Sequence, residues 1–279
     1  MADATLAAPA ATAPAAAPAD QASRLRFNGW RKVVLLLGLA LLWEGYARHL
    51  GNALLLPTFS ATVRALVEGF ASGELLARTA TSLELLLMGY GAGLVLAALL
   101  TALASLSRWG AELLELLTAM LNPLPAVALL PVALLWFGIG APSLVFVITH
   151  AVLWPVALSS YAGFRSVPRT LRMTGRNLGL SAPRFIIEIL MPAALPQILA
   201  GLRLGWAFAW RTLIAAELVF GVSARSGGIG WFIYTNRAQL ETANVFAGLL
   251  TIILVGLIVE ALLFRGAARA TIQRWGQEQ

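Results

Sequence analysis

Apolar runs of roughly membrane-crossing length recur along the chain, separated by short polar segments: Val33 to Tyr46, Thr79 to Leu106, Leu113 to Phe137, Leu144 to Ala162, Leu195 to Phe220 and Val245 to Phe264. A helix needs about 20 apolar residues to cross a bilayer, so the pattern predicts six transmembrane helices. Between the first two runs, Val63, Leu66, Val67 and Phe70 recur at helical spacing opposite Arg64 and Glu68. That spacing describes an amphipathic helix starting at a Ser60 cap, lying in the membrane interface or packed on the bundle. Gly89, Gly91 and Gly93 place the second span inside the bundle, because small residues let helices approach closely in lipid. Pro123, Pro125 and Pro131 interrupt the third span. The carbonyls they free must face protein or a water-filled path.

The stretch from Tyr161 to Leu202, which holds the interruption between the fourth and fifth runs, carries Arg165, Arg169, Arg172, Arg176 and Arg184. Its first part reads as a helix with Val167, Leu171 and Thr174 on one side and arginines on the other. Gly179 and Ser181-Ala182-Pro183 break that helix, and a second, Arg184 to Leu190, is expected to stop at Pro192. After the fifth span, a glycine run leads into a helix expected from Trp231 to Leu240, re-entering or lying on the outer face with Trp231, Phe232 and Tyr234 at the interface.

Composition turns these runs into membrane spans rather than a buried core. Of 279 residues, 59% are hydrophobic and only 12% charged, where soluble domains are nearer a quarter charged. The expected fold is therefore an all-α integral membrane protein. The net charge of +7 comes from arginine, since Lys32 is the single lysine. Arg24, Arg26, Arg31, Lys32, Arg108, the five loop arginines, Arg265, Arg269 and Arg274 fall on one side, thirteen in all; Arg48, Arg64, Arg78, Arg225 and Arg237 fall on the other. The positive-inside rule then puts both termini and the arginine loop in the cytoplasm, and explains the basic charge without nucleic acid. Residues 1–23, rich in Ala and Pro, read as a disordered cytoplasmic tail without the basic start and leucine core of a signal peptide; residues 24–279 read as one transmembrane domain.

Candidate chemistry is sparse. There is no cysteine, and His49 and His150 are the only histidines, with no metal-ligand cluster around them. His150, mid-span, is expected to hydrogen-bond a neighbouring helix. Ser226-Gly227-Gly228-Ile229-Gly230 lacks the Gly-Lys-Ser/Thr ending of a phosphate loop. Glu44, Glu84 and Glu260 lie near span ends, where snorkelling is the expectation. Arg203, Arg211 and Glu217 sit within the fifth span, which implies a protein-lined or wet face. At ~3.6 residues per turn, Arg211 and Glu217 are about 240° apart and are not expected to pair. Arg203 and Arg211, about 80° apart, either share a pore-facing side or find partners in neighbouring helices. Asn122, Pro123, Pro125, Pro131, His150, Arg211 and Glu217 form the candidate translocation path.

Gly179, then nine residues, then Ile189-Leu190-Met191-Pro192 resembles the EAA loop of ABC importer permeases, whose pattern is E-A-A, three residues, Gly, nine residues, I-x-L-P. Met173-Thr174-Gly175 stands where E-A-A would, and Met191 replaces the leucine. Asn122 to Gly140 (NPLPAVALLPVALLWFGIG), Gly221 to Thr242, Ala243 to Leu250 and the late TIQRWG resemble the nitrate/sulfonate/taurine/bicarbonate branch of these permeases. The resemblance spans Val33 to Gly276.

It implies a type I ABC importer permease fold in a bacterial inner membrane. The implied partners are a second copy of the chain, two ATPase subunits that bind ATP and Mg, an extracytoplasmic substrate-binding protein and membrane lipid. It implies no cofactor bound by this chain, and a small anion (sulfonate, nitrate, bicarbonate or carboxylate) as cargo. Its coupling loop would be residues 163–194, with Thr170, Arg172, Met173, Gly175, Arg176, Gly179, Leu180, Ser181, Ile189 and Pro192 at the ATPase contact. Gly179 would permit the sharp turn, Arg172 and Arg176 would contact the ATPase surface, and a bulky substitution at Gly179 would abolish stimulated ATP hydrolysis while leaving insertion intact. The alternative, a secondary carrier of small organic anions, would usually show more spans and an internal repeat.

Overall fold

The computed structural model describes residues 29–220, 227–264 and Gly266. The expected tail 1–23, the charges Arg24, Arg26, Arg225, Arg265, Arg269 and Arg274, and the TIQRWG segment lie outside the described residues, as does the side chain of Arg176.

All regular structure among the described residues is helical: α1 (Gly29–Leu50), α2 (Phe59–Ala71), α3 (Glu74–Leu106), α4 (Arg108–Leu121), a 3-10 turn (Ala126–Leu129), α5 (Leu130–Phe137), α6 (Ala141–Ser166), α7 (Arg169–Asn177), α8 (Ala182–Phe185), a π-turn (Ile186–Leu190), α9 (Met191–Ala193), α10 (Leu195–Phe220), α11 (Ile229–Ala238), α12 (Thr242–Val259) and a second π-turn (Glu260–Phe264). Among the described residues, five helices are long and apolar enough to span a membrane. The predicted third span is two helices, α4 and the Ala126–Phe137 segment, bent by 85° at the Asn122–Pro125 break; counted as one span, the pair brings the total to six.

Helices α3, α6 and α10 form the centre, with α6 between the other two. Lipid tails supply little hydrophobic drive between helices, so close van der Waals contact and hydrogen bonds hold such a bundle. The glycine pattern provides the contact. A β-carbon at Gly89 or Gly93 would lie 2.6 Å from the β-carbon of Ile148 or Val152 on α6, and one at Gly201 of α10 would lie 2.6 Å from that of Ser159. Gly91, grouped with its neighbours in the sequence, faces open space. Tyr90 Oη donates to the Leu202 carbonyl at 2.9 Å, tying α3 to α10.

Helix α2 packs on α12, α3 and α1 rather than lying apart. Its cap is Thr58, whose hydroxyl accepts from Ala61 N at 3.2 Å, not Ser60. Ser60 instead gives its N–H and hydroxyl to Glu44 of α1, at 2.9 and 3.0 Å. The packed face matches the predicted stripe only in part, at Leu66, which packs against the core. Thr62 and Ala65 are buried, whereas Val67 is 61% exposed and Phe70 40%. In lipid, apolar side chains have no need of burial, so the small-residue face makes the contact. Helix α11 starts at Ile229, two residues earlier than expected, and re-enters the bundle, with Phe232 buried rather than interfacial and Trp231 stacked on Tyr234 at 5.4 Å.

Candidate coupling elbow and translocation cavity

The arginine loop folds as a helical elbow. The expected first helix is broken at Val167, extended (φ −60, ψ 125) ahead of Pro168, so Arg165 belongs to α6 and only Arg169–Asn177 forms α7. Arg172 folds back: its guanidinium donates to the carbonyls of Val167 (3.3 Å) and Phe164, capping the end of α6. Gly179 has φ +65, and Leu180 N donates to the Gly175 carbonyl at 3.3 Å. This is the left-handed turn that closes a helix and reverses the chain. Nothing lies within 4 Å of a β-carbon at Gly179. The constraint there is backbone sign, not volume.

Volume is the constraint at Gly175, where a β-carbon would lie 2.7 Å from Phe185 and 3.1 Å from Ile189. The residue at the third E-A-A position is thus the seam between the elbow's two arms. Ser181 opens α8 in an extended conformation without a side-chain cap bond. The second arm does not stop at Pro192: the π-turn Ile186–Leu190 runs into α9, and the break comes at Ala194 (φ −95, ψ 3). A widened turn before proline relieves the clash of its ring with the carbonyl four residues back. Phe164, Val167, Leu190 and Ala194 bury together at the elbow's root. Outward, Leu171, Met173 and Leu178 are exposed, as is Thr170.

The second feature is a cavity of about 410 Å³ at the inner side of the 85° bend. Asn122, Pro125, His150 and Arg211 line it together. Pro123, Pro131 and Glu217 are not in its wall. Sequence reasoning missed Trp154, Phe208 and Thr212, which also line it; Trp154 stands one helical turn after His150, and that spacing was the available signal. His150 is not the expected helix-to-helix bonder. Both ring nitrogens and the Trp154 indole N–H are buried without a hydrogen bond, and an approach of His150 to the Leu121 carbonyl falls short of bonding geometry. The two rings meet edge to face at 5.9 Å.

Arg203 and Arg211 share the wall of a neighbouring cavity, but their partners differ. Arg203 is paired with Glu260 (Nε to Oε2, 3.0 Å). Arg211 donates from Nε to the Ala207 carbonyl of its own helix at 3.1 Å and lies 4.9 Å over the Phe208 ring. Glu217, 1% exposed, belongs to a separate network: it accepts from Gly230 N (2.8 Å) and Ser82 Oγ (3.2 Å), while Ser82 Oγ accepts from Ile229 N (2.9 Å). The carboxylate thus caps the start of α11 from another helix.

Residues 89–270 match the family described as the binding-protein-dependent transport system inner membrane component. The chain belongs to that family. Among similar proteins, an Escherichia coli protein provisionally named an aliphatic sulfonates transport permease is 33% identical over 238 residues, 85% of this chain and 88% of its own. The taurine transport system permease of the same organism is 30% identical over 240 residues, 82% of this chain and 86% of its own. The nitrate import permease of Synechocystis is 31% identical over 179 residues, 64% of each chain. This is an ABC importer permease of the nitrate/sulfonate/taurine/bicarbonate branch and a multi-pass membrane protein. The matched region of the permease contains both the elbow and the cavity.

Proposed function

We propose that this permease is the membrane subunit of an ATP-driven importer of a small anion in a bacterial inner membrane. It spans the bilayer six times with both termini in the cytoplasm, pairs with a second copy, and carries two ATPase subunits that bind ATP and Mg. An extracytoplasmic binding protein delivers cargo. The coupling loop is residues 163–194 and the path follows the cavity at Asn122, Pro125, His150 and Arg211.

The elbow is the observation that carries this reading. Its root is buried in the bundle, its arms are locked at Gly175, and its tip offers Leu171, Met173 and Leu178 to a partner. A rigid lever of this kind suits transmission of ATPase closure to the spans, which requires two arrangements of the bundle joined by one stiff contact. Arg172, bonded back to the end of α6, stiffens the lever, so of the two arginines expected at the ATPase contact Arg176 is the one retained here. The exposed position of Arg211 within α10 supports a second copy, because an intramembrane guanidinium needs a wet or protein-lined face.

The test is reconstitution. The permease should co-purify with an ATP-hydrolysing subunit, and vesicles containing both should take up anion only with ATP and a binding protein. Gradient-driven uptake by the purified permease alone would overturn the reading.

A further inference from the structure

We propose that the cavity at the 85° bend is an anion-binding station of the permease itself, taking an organic oxyanion with a short apolar body, with Arg211 as its anchor. The inference rests on the importer reading for its cargo class and adds a site and a shape. Three observations carry it.

The first is charge. Among the described residues, Arg211 is the only charged one in the cavity wall, which contains no carboxylate. Arg203, eight residues earlier, is neutralised by Glu260, while Arg211 has no ion pair among the described residues. Only its Nε is engaged, leaving the two terminal nitrogens of the fork available to a carboxylate or sulfonate.

The second is a pair of unpartnered polar rings. The Trp154 indole N–H and the His150 ring nitrogens are buried in this wall without a hydrogen bond, and the Asn122 amide stands beside them. Buried polar groups are ordinarily satisfied; these nitrogens are covered by neighbouring atoms, so a rotation of either ring toward the cavity is what brings them to an occupant.

The third is the rest of the wall. Leu124, Val127, Pro155 and Phe208 are apolar, and about 410 Å³ exceeds what a bare inorganic ion fills. A head with oxygens on Arg211 and a short hydrocarbon body against Phe208 and Leu124 matches both surfaces.

The experiment is a thermal-shift titration of the purified full-length permease in detergent with propanesulfonate, its neutral isostere propanesulfonamide, and nitrate. Propanesulfonate is expected to raise the unfolding midpoint saturably, nitrate more weakly, and the sulfonamide not at all. Arg211→Gln should weaken the apparent Kd for propanesulfonate by about 10- to 100-fold, the usual range for losing a charge-assisted hydrogen bond. Arg211→Lys should fall between, and Arg64→Gln, an exposed charge on α2, should change nothing. Equal stabilisation by the sulfonamide, or an unchanged Kd in Arg211→Gln, overturns the site. Nitrate binding as tightly as propanesulfonate overturns its organic shape. The ligand comparison on the unmodified chain stands even if a variant fails to fold. The readout needs no ATPase, binding protein or ATP, so its failure leaves the importer reading intact.

Discussion

Substitution of Gly179 separates a backbone constraint from a steric one. Its φ of +65 lies in the left-handed region, and no atom lies within 4 Å of where a β-carbon would stand. An L-residue there costs about 1–2 kcal/mol, more for a β-branched side chain and less for asparagine. A cost of one or two kcal/mol corresponds to a factor of about 5–30 in a two-state population. The backbone bonds at the turn that oppose that strain locally are Leu178 N to Thr174 O at 3.0 Å and Leu180 N to Gly175 O at 3.3 Å. Gly179→Val is therefore expected to reduce stimulated ATP hydrolysis in the reconstituted complex by about fivefold or more, while Gly179→Asn stays within about twofold of the parent. Membrane insertion should be equal for both, because Gly179 lies outside every apolar span. The assay is ATP turnover with and without loaded binding protein, normalised to inserted permease. Full stimulation in the valine variant would refute the lever; equal loss in both variants would show that something other than φ constrains the position.

Two further outcomes follow from the packing. Glu217→Ala leaves the Gly230 N–H and Ser82 hydroxyl without their acceptor, expected to cost about 1–3 kcal/mol. Its unfolding midpoint should fall and protease should cut near α11, while Glu217→Gln, which keeps an acceptor, should lose less; an unchanged midpoint in the alanine variant would remove the capping role. Gly93→Leu inserts a side chain where even a β-carbon would lie 2.6 Å from Val152, so α3 and α6 must separate and the midpoint should drop by more than for Gly91→Leu, which faces open space; equal effects would mean the glycine seam is not what joins these helices.

The residues and their order were enough to place five apolar spans, the proline interruption, a helix break at Gly179 and the family. Each depends on local chemistry: span length, a missing N–H, a missing β-carbon. The elbow's lock was not legible, because Gly175 matters only when the second arm brings Phe185 and Ile189 against it. Nor was the difference between Arg203 and Arg211: two arginines on one helix look alike until Glu260, 57 residues on, reaches one and not the other. The packed face of α2 and the removal of Glu217 from the cavity have the same origin. In a bilayer, hydrophobicity says that a helix is inserted but not which side meets its neighbours; shape and hydrogen-bond partners decide that, and both arise only when distant segments come together.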